Sequence, residues 1–111
     1  MKYDELKNIK TGQKISWVFM MPELNSNDYQ KHTFIVKSMK MIVNPNIDWY
    51  LDSRRKIKLA KKIIIEHKLT KKEFELIIPL DREIEENIFF TNEKGFPSDL
   101  AQINQISLEK D

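Results

Sequence analysis

Ile57-Lys58-Leu59-Ala60-Lys61-Lys62-Ile63-Ile64-Ile65-Glu66-His67-Lys68-Leu69 is the stretch on which the fold turns. Stepping residues at about 100° from Arg54 places Ile57, Leu59, Ala60, Ile63, Ile64 and His67 within about 160° of arc, with Arg54, Arg55, Lys58, Lys61, Lys62 and Lys68 opposite. Ile65 alone breaks that pattern. Laid out as a strand, Ile57, Leu59, Ile63 and Ile65 share one parity and isoleucine favours sheets, but Lys61 then falls within the apolar face. The spacing therefore predicts a long basic amphipathic helix. Its start is marked by Asn44-Pro45, an N-cap followed by proline at the first helical position, with Asp48 and Asp52 near the positive end of the helix dipole.

Towards the N-terminus, Tyr3, Leu6 and Ile9 recur at helical spacing with Gly12 beyond them as a C′ residue, predicting a short helix. From Lys14 to Met21, Ile15, Trp17, Phe19 and Met21 alternate with the residues between them as a strand does, and Pro22 ends the run. The polar stretch Glu23 to Gln30 reads as a connection. From His32 to Val43 a second strand is expected, with Thr33, Ile35, Met39, Met41 and Val43 on one parity, although Phe34, Val36 and Ile42 make the other face partly apolar. The two strands suggest an antiparallel hairpin.

Towards the C-terminus, Thr70-Lys71-Lys72-Glu73 matches a capping box and predicts a short helix that Pro79 stops. Asp81, Glu83, Glu85 and Glu86 surround Ile84, and Thr91 to Gly95 reads as a turn with glycine in the left-handed position. Ser98 caps a last amphipathic stretch containing Leu100, Ile103 and Ile106. The whole chain, 1–111, is expected to form a single α+β domain: a short N-terminal helix, a hairpin, a long basic helix packed on it and an acidic C-terminal part with short helices and a turn.

A net charge of +2 conceals a segregation. Residues 54–72 carry nine basic groups against the single acid Glu66, a net of +8, while residues 73–111 carry three basic groups and ten acids, a net of −7. Such blocks mean either a bipolar surface built for charged partners or a basic segment lying against its own acidic tail. Arg54, Arg55, Lys58, Lys61 and Lys62 on one helix face would suit an acidic partner or the phosphates of a nucleic acid, and lysine in place of arginine implies binding without sequence preference.

Catalytic chemistry finds little to build on. With no cysteine there is no thiolate nucleophile, disulfide or Cys-ligated metal, which fits a reducing compartment. Two glycines exclude a phosphate-cradling glycine loop. His32 and His67 form no metal-binding pair at helical spacing and read as structural, Asp48 and Asp52 as dipole partners and the Asp81 to Glu86 cluster as a solvated face. No metal, cofactor, small-molecule substrate or enzymatic activity is expected. The longest apolar run, Trp17 to Met21, is far short of the roughly 20 residues of a membrane span, and the N-terminus lacks an apolar signal core, so a cytoplasmic protein without membrane contact is expected.

Residues 60–74 resemble the first two helices of a helix-turn-helix, but Lys68 stands where the turn glycine belongs and Glu73 and Glu75 would repel phosphate, so that reading is set aside. The small size and the excess of lysine and isoleucine, 16 and 15 residues, resemble those of accessory proteins of phages and mobile elements, anti-CRISPR inhibitors among them; no motif carries the likeness. It implies a protein that occupies a host protein or ribonucleoprotein complex. The alternative is a small nucleic-acid-binding accessory protein using the basic segment 54–72.

Overall fold

The computed structural model describes residues 1–19, 30–43, 58–81, 87–91 and 97–109, the backbone alone at 19, 87–91 and 97–102. It is an antiparallel β structure with one five-residue α-helix among the described residues, α1 (Tyr3–Lys7). Seven strands follow: β1 (Lys14–Phe19), β2 (Gln30–Val43), β3 (Leu59–His67), β4 (Glu73–Pro79), β5 (Asn87–Thr91), β6 (Pro97–Gln102) and, after a 3-10 turn (Ile103–Gln105), β7 (Ser107–Glu109). They form one sheet in the order β6-β5-β4-β3-β2-β1-β7, antiparallel at every step.

The expected α+β architecture is thereby corrected. Where a long basic helix was expected there is β3, and where a capping box announced a second helix there is a turn and then β4. Ser98 likewise lies in β6. The helix start expected at Asn44-Pro45 falls outside the described residues, as does the Gly95 turn. Three successive isoleucines explain the outcome at β3. Their branched Cβ atoms are stiff at χ1 and fit a pleated surface better than a helix. Ile63 and Ile65 are fully buried on one face, and Ile64 takes the other. Lys61, the apparent flaw in a strand, does lie on the apolar face; its ammonium reaches the lower rim and donates to the carbonyl of Lys7 in α1.

The short N-terminal helix and the first hairpin match expectation. Lys2 N–H donates to Glu5 Oε1 at 3.1 Å across the first turn of α1, and Tyr3, Leu6 and Ile9 are buried. Asn8 caps the helix end, so Gly12 serves instead at φ +93° in the turn entering β1, where its N–H donates to Val36 O at 2.8 Å. In β2 the register shifts between Val36 and Ser38, leaving Lys37 as an extra residue. This bulge reverses the parity of the strand: His32, Phe34 and Val36 face inward before it, Met39 after it. Both faces of the second strand read as partly apolar for that reason.

The two edges of the sheet are joined by residues 103–106 alone. Six strand spacings in a flat sheet would separate them by about 29 Å. Five Cα steps from Gln102 to Ser107 reach at most about 18 Å. The sheet must therefore curl towards a barrel, in keeping with overall dimensions of 37 × 28 × 22 Å. Its interior holds Ile15, Trp17, Phe34, Val36, Ile63, Ile65, Phe74, Leu76 and Ile78, while α1 with Ile103 and Ile106 closes the lower end. Tyr3 Oη donates to Pro79 O at 2.7 Å, tying that plug to β4, and within the plug the Met1 ammonium donates to Ile106 O at 2.7 Å. The upper end carries the β3–β4 turn, residues 68–72.

Candidate functional site

In a strand, neighbouring side chains point to opposite faces, so the basic segment is divided rather than gathered. Lys61 faces inward and bonds Lys7 O; Lys62 faces outward and pairs with Glu75 at 2.9 Å across β3 and β4. Lys58 is exposed just before β3, with its backbone N–H donating to Asp81 Oδ2 at 3.1 Å. Arg54 and Arg55 lie outside the described residues. Two of these contacts, Lys62 with Glu75 and Lys58 N–H with Asp81, run from the basic block to the acidic block that follows it. Elsewhere on the outer face, Lys37 pairs with Glu66 at 3.7 Å and Lys31 with Glu109 at 2.8 Å.

The Lys31–Glu109 pair belongs to a clasp across β2, β1 and β7. Ser16 Oγ, on β1, donates to Glu109 Oε1. Hydrogen bonds from Lys31 and Ser16 hold the Glu109 carboxyl below the usual carboxylate range, with the Lys31 charge adding to them. Burial holds the Lys61 ammonium below its ordinary value.

At the lower end, β2 and β3 run past the core. Register pairs Met39 with Ile63, Met41 with Lys61 and Val43 with Leu59 on the inward parity. Met39 packs on the core, whereas Met41 and Val43 are 62% and 72% exposed. The outcome is a strip of apolar side chains beside the Lys61 ammonium and the exposed Lys7 of α1. An apolar strip edged by cations is what an acidic macromolecular surface with apolar centres would fit.

The upper end is an aromatic layer. Trp17 stacks on Phe34 at 4.9 Å between ring centroids, and Phe34 meets His67 and Phe74 edge-on at 5.2 and 5.8 Å. Within it His32 Nδ1 lies 3.0 Å from His67 Nε2, and both residues are buried. His67 Nδ1 accepts the backbone N–H groups of Leu69 at 3.2 Å and Thr70 at 3.1 Å, so it carries no proton. The His67 proton is therefore on Nε2 and is donated to His32 Nδ1, which places the His32 proton on Nε2. Among the described residues no group of three metal-ligating side chains occurs. Burial, and then the neighbouring His32, holds His67 below its ordinary value. Inward parity in both strands, His32 with Phe34 and His67 with Ile65, is the signal that would have joined the two histidines once β3 was read as a strand.

No helix among the described residues is long and apolar enough to cross a membrane. Comparison with known proteins finds no match to this chain among protein-family models, curated sequences or solved structures.

Proposed function

We propose that this chain is a non-enzymatic binding domain that acts by occupying an acidic macromolecular partner through the lower end of its β2–β3 ribbon. The observation that carries this reading is the exposure of Met41 and Val43 on a face whose upper members, Met39 and Ile63, pack in the core. Methionine adapts its shape to a partner, and the neighbouring lysines steer acidic surfaces towards it. The non-enzymatic reading is supported by the placement of Ser16, the buried serine among the described residues. Ser16 faces outward towards Glu109, on the side of the sheet away from the inward-facing His32 and His67, so no hydroxyl and imidazole meet there as nucleophile and base. Composition and size support action as a phage or mobile-element inhibitor of a host protein or ribonucleoprotein complex.

The test is affinity capture from a lysate of the native host at moderate salt, comparing the native chain with Met41→Ser/Val43→Ser. A protein retained by the first and lost by the second, with circular dichroism unchanged, is the expected result. Equal retention by both would remove the ribbon as the site. Capture of nucleic acid alone, falling steeply with salt and indifferent to the double substitution, would establish the nucleic-acid reading instead.

A further inference from the structure

We propose that the His32–His67 pair is a pH-sensitive latch that keeps the β3–β4 turn, residues 68–72, ordered near neutral pH and releases it in acid. The turn is bonded directly to the His67 ring. Leu69, at its tip, is 84% exposed, so no apolar anchor fixes it. Lys71 sits at φ 65°, a left-handed conformation that lysine adopts only under constraint. Beside backbone bonds, from Lys68 N to Thr33 O at 2.9 Å, Lys71 N to His67 O at 2.9 Å and His67 N to Lys72 O at 2.8 Å, and the Thr70 hydroxyl accepting from Lys72 N at 3.3 Å, the turn is bonded to the His67 ring. That ring accepts both Leu69 and Thr70 N–H groups.

The pair tolerates no additional proton. On His67 Nδ1 a proton would face two donors, and the turn would lose both of its bonds to the ring. On His32 Nδ1 it would face the Nε2–H of His67, and the pair itself would separate. Exchanging tautomers does not help, because any cationic arrangement places two hydrogens in one of these contacts. The surroundings oppose the charge as well. Among the described residues, Lys31 next to His32 and Lys68, Lys71 and Lys72 of the turn outnumber the acids Glu66 on β3, Glu73 on β4 and Glu109 on β7, and β1 brings Trp17 and no charge to the layer. Two of those acids already pair with lysines, Glu66 with Lys37 and Glu109 with Lys31.

Because the neutral ring is the folded form, its contribution is complete above the ordinary histidine value of 6.5 and declines as pH falls below it. Amide hydrogen exchange on the intact chain reads the latch directly. Corrected for intrinsic chemistry, exchange at Leu69 and Thr70 should rise about tenfold or more relative to Ile63, in the interior of β3 between β2 and β4, between about pH 7 and about pH 5. Nitrogen NMR of the rings should show protonated Nε2 on both at neutral pH. His67→Asn supplies a carbonyl oxygen for the same turn without a titrating ring and should abolish the pH dependence. His32→Gln removes the neighbouring titratable ring without touching the turn, and the His67 titration should move up towards its ordinary value. Ordinary titration of both rings with unchanged Leu69 and Thr70 protection would overturn the proposal, and so would a pH response in His67→Asn equal to that of the native chain.

Discussion

Truncating Ile65 to alanine and, separately, Ile64 to alanine tests the assignment of β3 with two adjacent residues. Ile65 is fully buried between Val36 and Phe74, its register partners on β2 and β4. Removing three carbons there forfeits about 0.8 kcal/mol each in transfer free energy, and the cavity adds to that, for a total of about 3 kcal/mol. Ile64 lies half-buried on the opposite face between Ser38 and Glu75. Its truncation opens no closed cavity and should cost about 1 kcal/mol. With a urea slope of about 2 kcal/mol per molar, the midpoint should fall by about 1.5 M for Ile65→Ala and about 0.5 M for Ile64→Ala. Equilibrium urea unfolding followed by tryptophan fluorescence, with the slope held common, measures both. A helix would bury Ile64 and expose Ile65, reversing the order. An Ile64→Ala midpoint at or below that of Ile65→Ala would refute the strand.

Tyr3→Phe should lower stability by about 1 to 2 kcal/mol, because it leaves the buried carbonyl of Pro79 without the hydroxyl 2.7 Å away; thermal unfolding reports it. The depressed Glu109 carboxyl contributes stability that is present above the ordinary glutamate value of 4.5 and lost as pH falls through its lower folded value. Amide exchange in β7 should therefore accelerate in that acid window, and Glu109→Gln should show the fast exchange at all pH values and lose the acid step.

Only the local features were legible in the sequence. Tyr3, Leu6 and Ile9 announce α1, and the alternation of Ile15 and Trp17 announces β1, because each pattern is complete within a few residues. The β3 segment satisfies a helical arc and a strand parity almost equally. What decides between them is the availability of β2 and β4 as neighbours, which no window of the sequence contains. Thr70 and Glu73 mimic a capping box for a related reason. The Thr70 hydroxyl does accept a backbone N–H, that of Lys72, but it closes a turn rather than opening a helix. The bulge at Lys37 disguises the parity of β2, so the sequence alone does not separate Met39, packed on the core, from the exposed Met41 and Val43. The charge blocks were visible from the start, and the Lys62–Glu75 pair shows that at least part of the basic block meets the acidic segment across one hairpin.

All the pairings from β1 to β6 join strands that follow one another in the chain, so each hairpin can close soon after it is made. The pairing of β1 with β7 is different, since Ser16 and Glu109 are 93 residues apart. During synthesis, therefore, one side of β1 stays without its strand partner while the rest of the sheet assembles, and the clasp forms only after residues 107–109 have left the ribosome. For that interval the nascent chain presents backbone donors and acceptors to any extended segment nearby, including the same strand on a neighbouring polysome product.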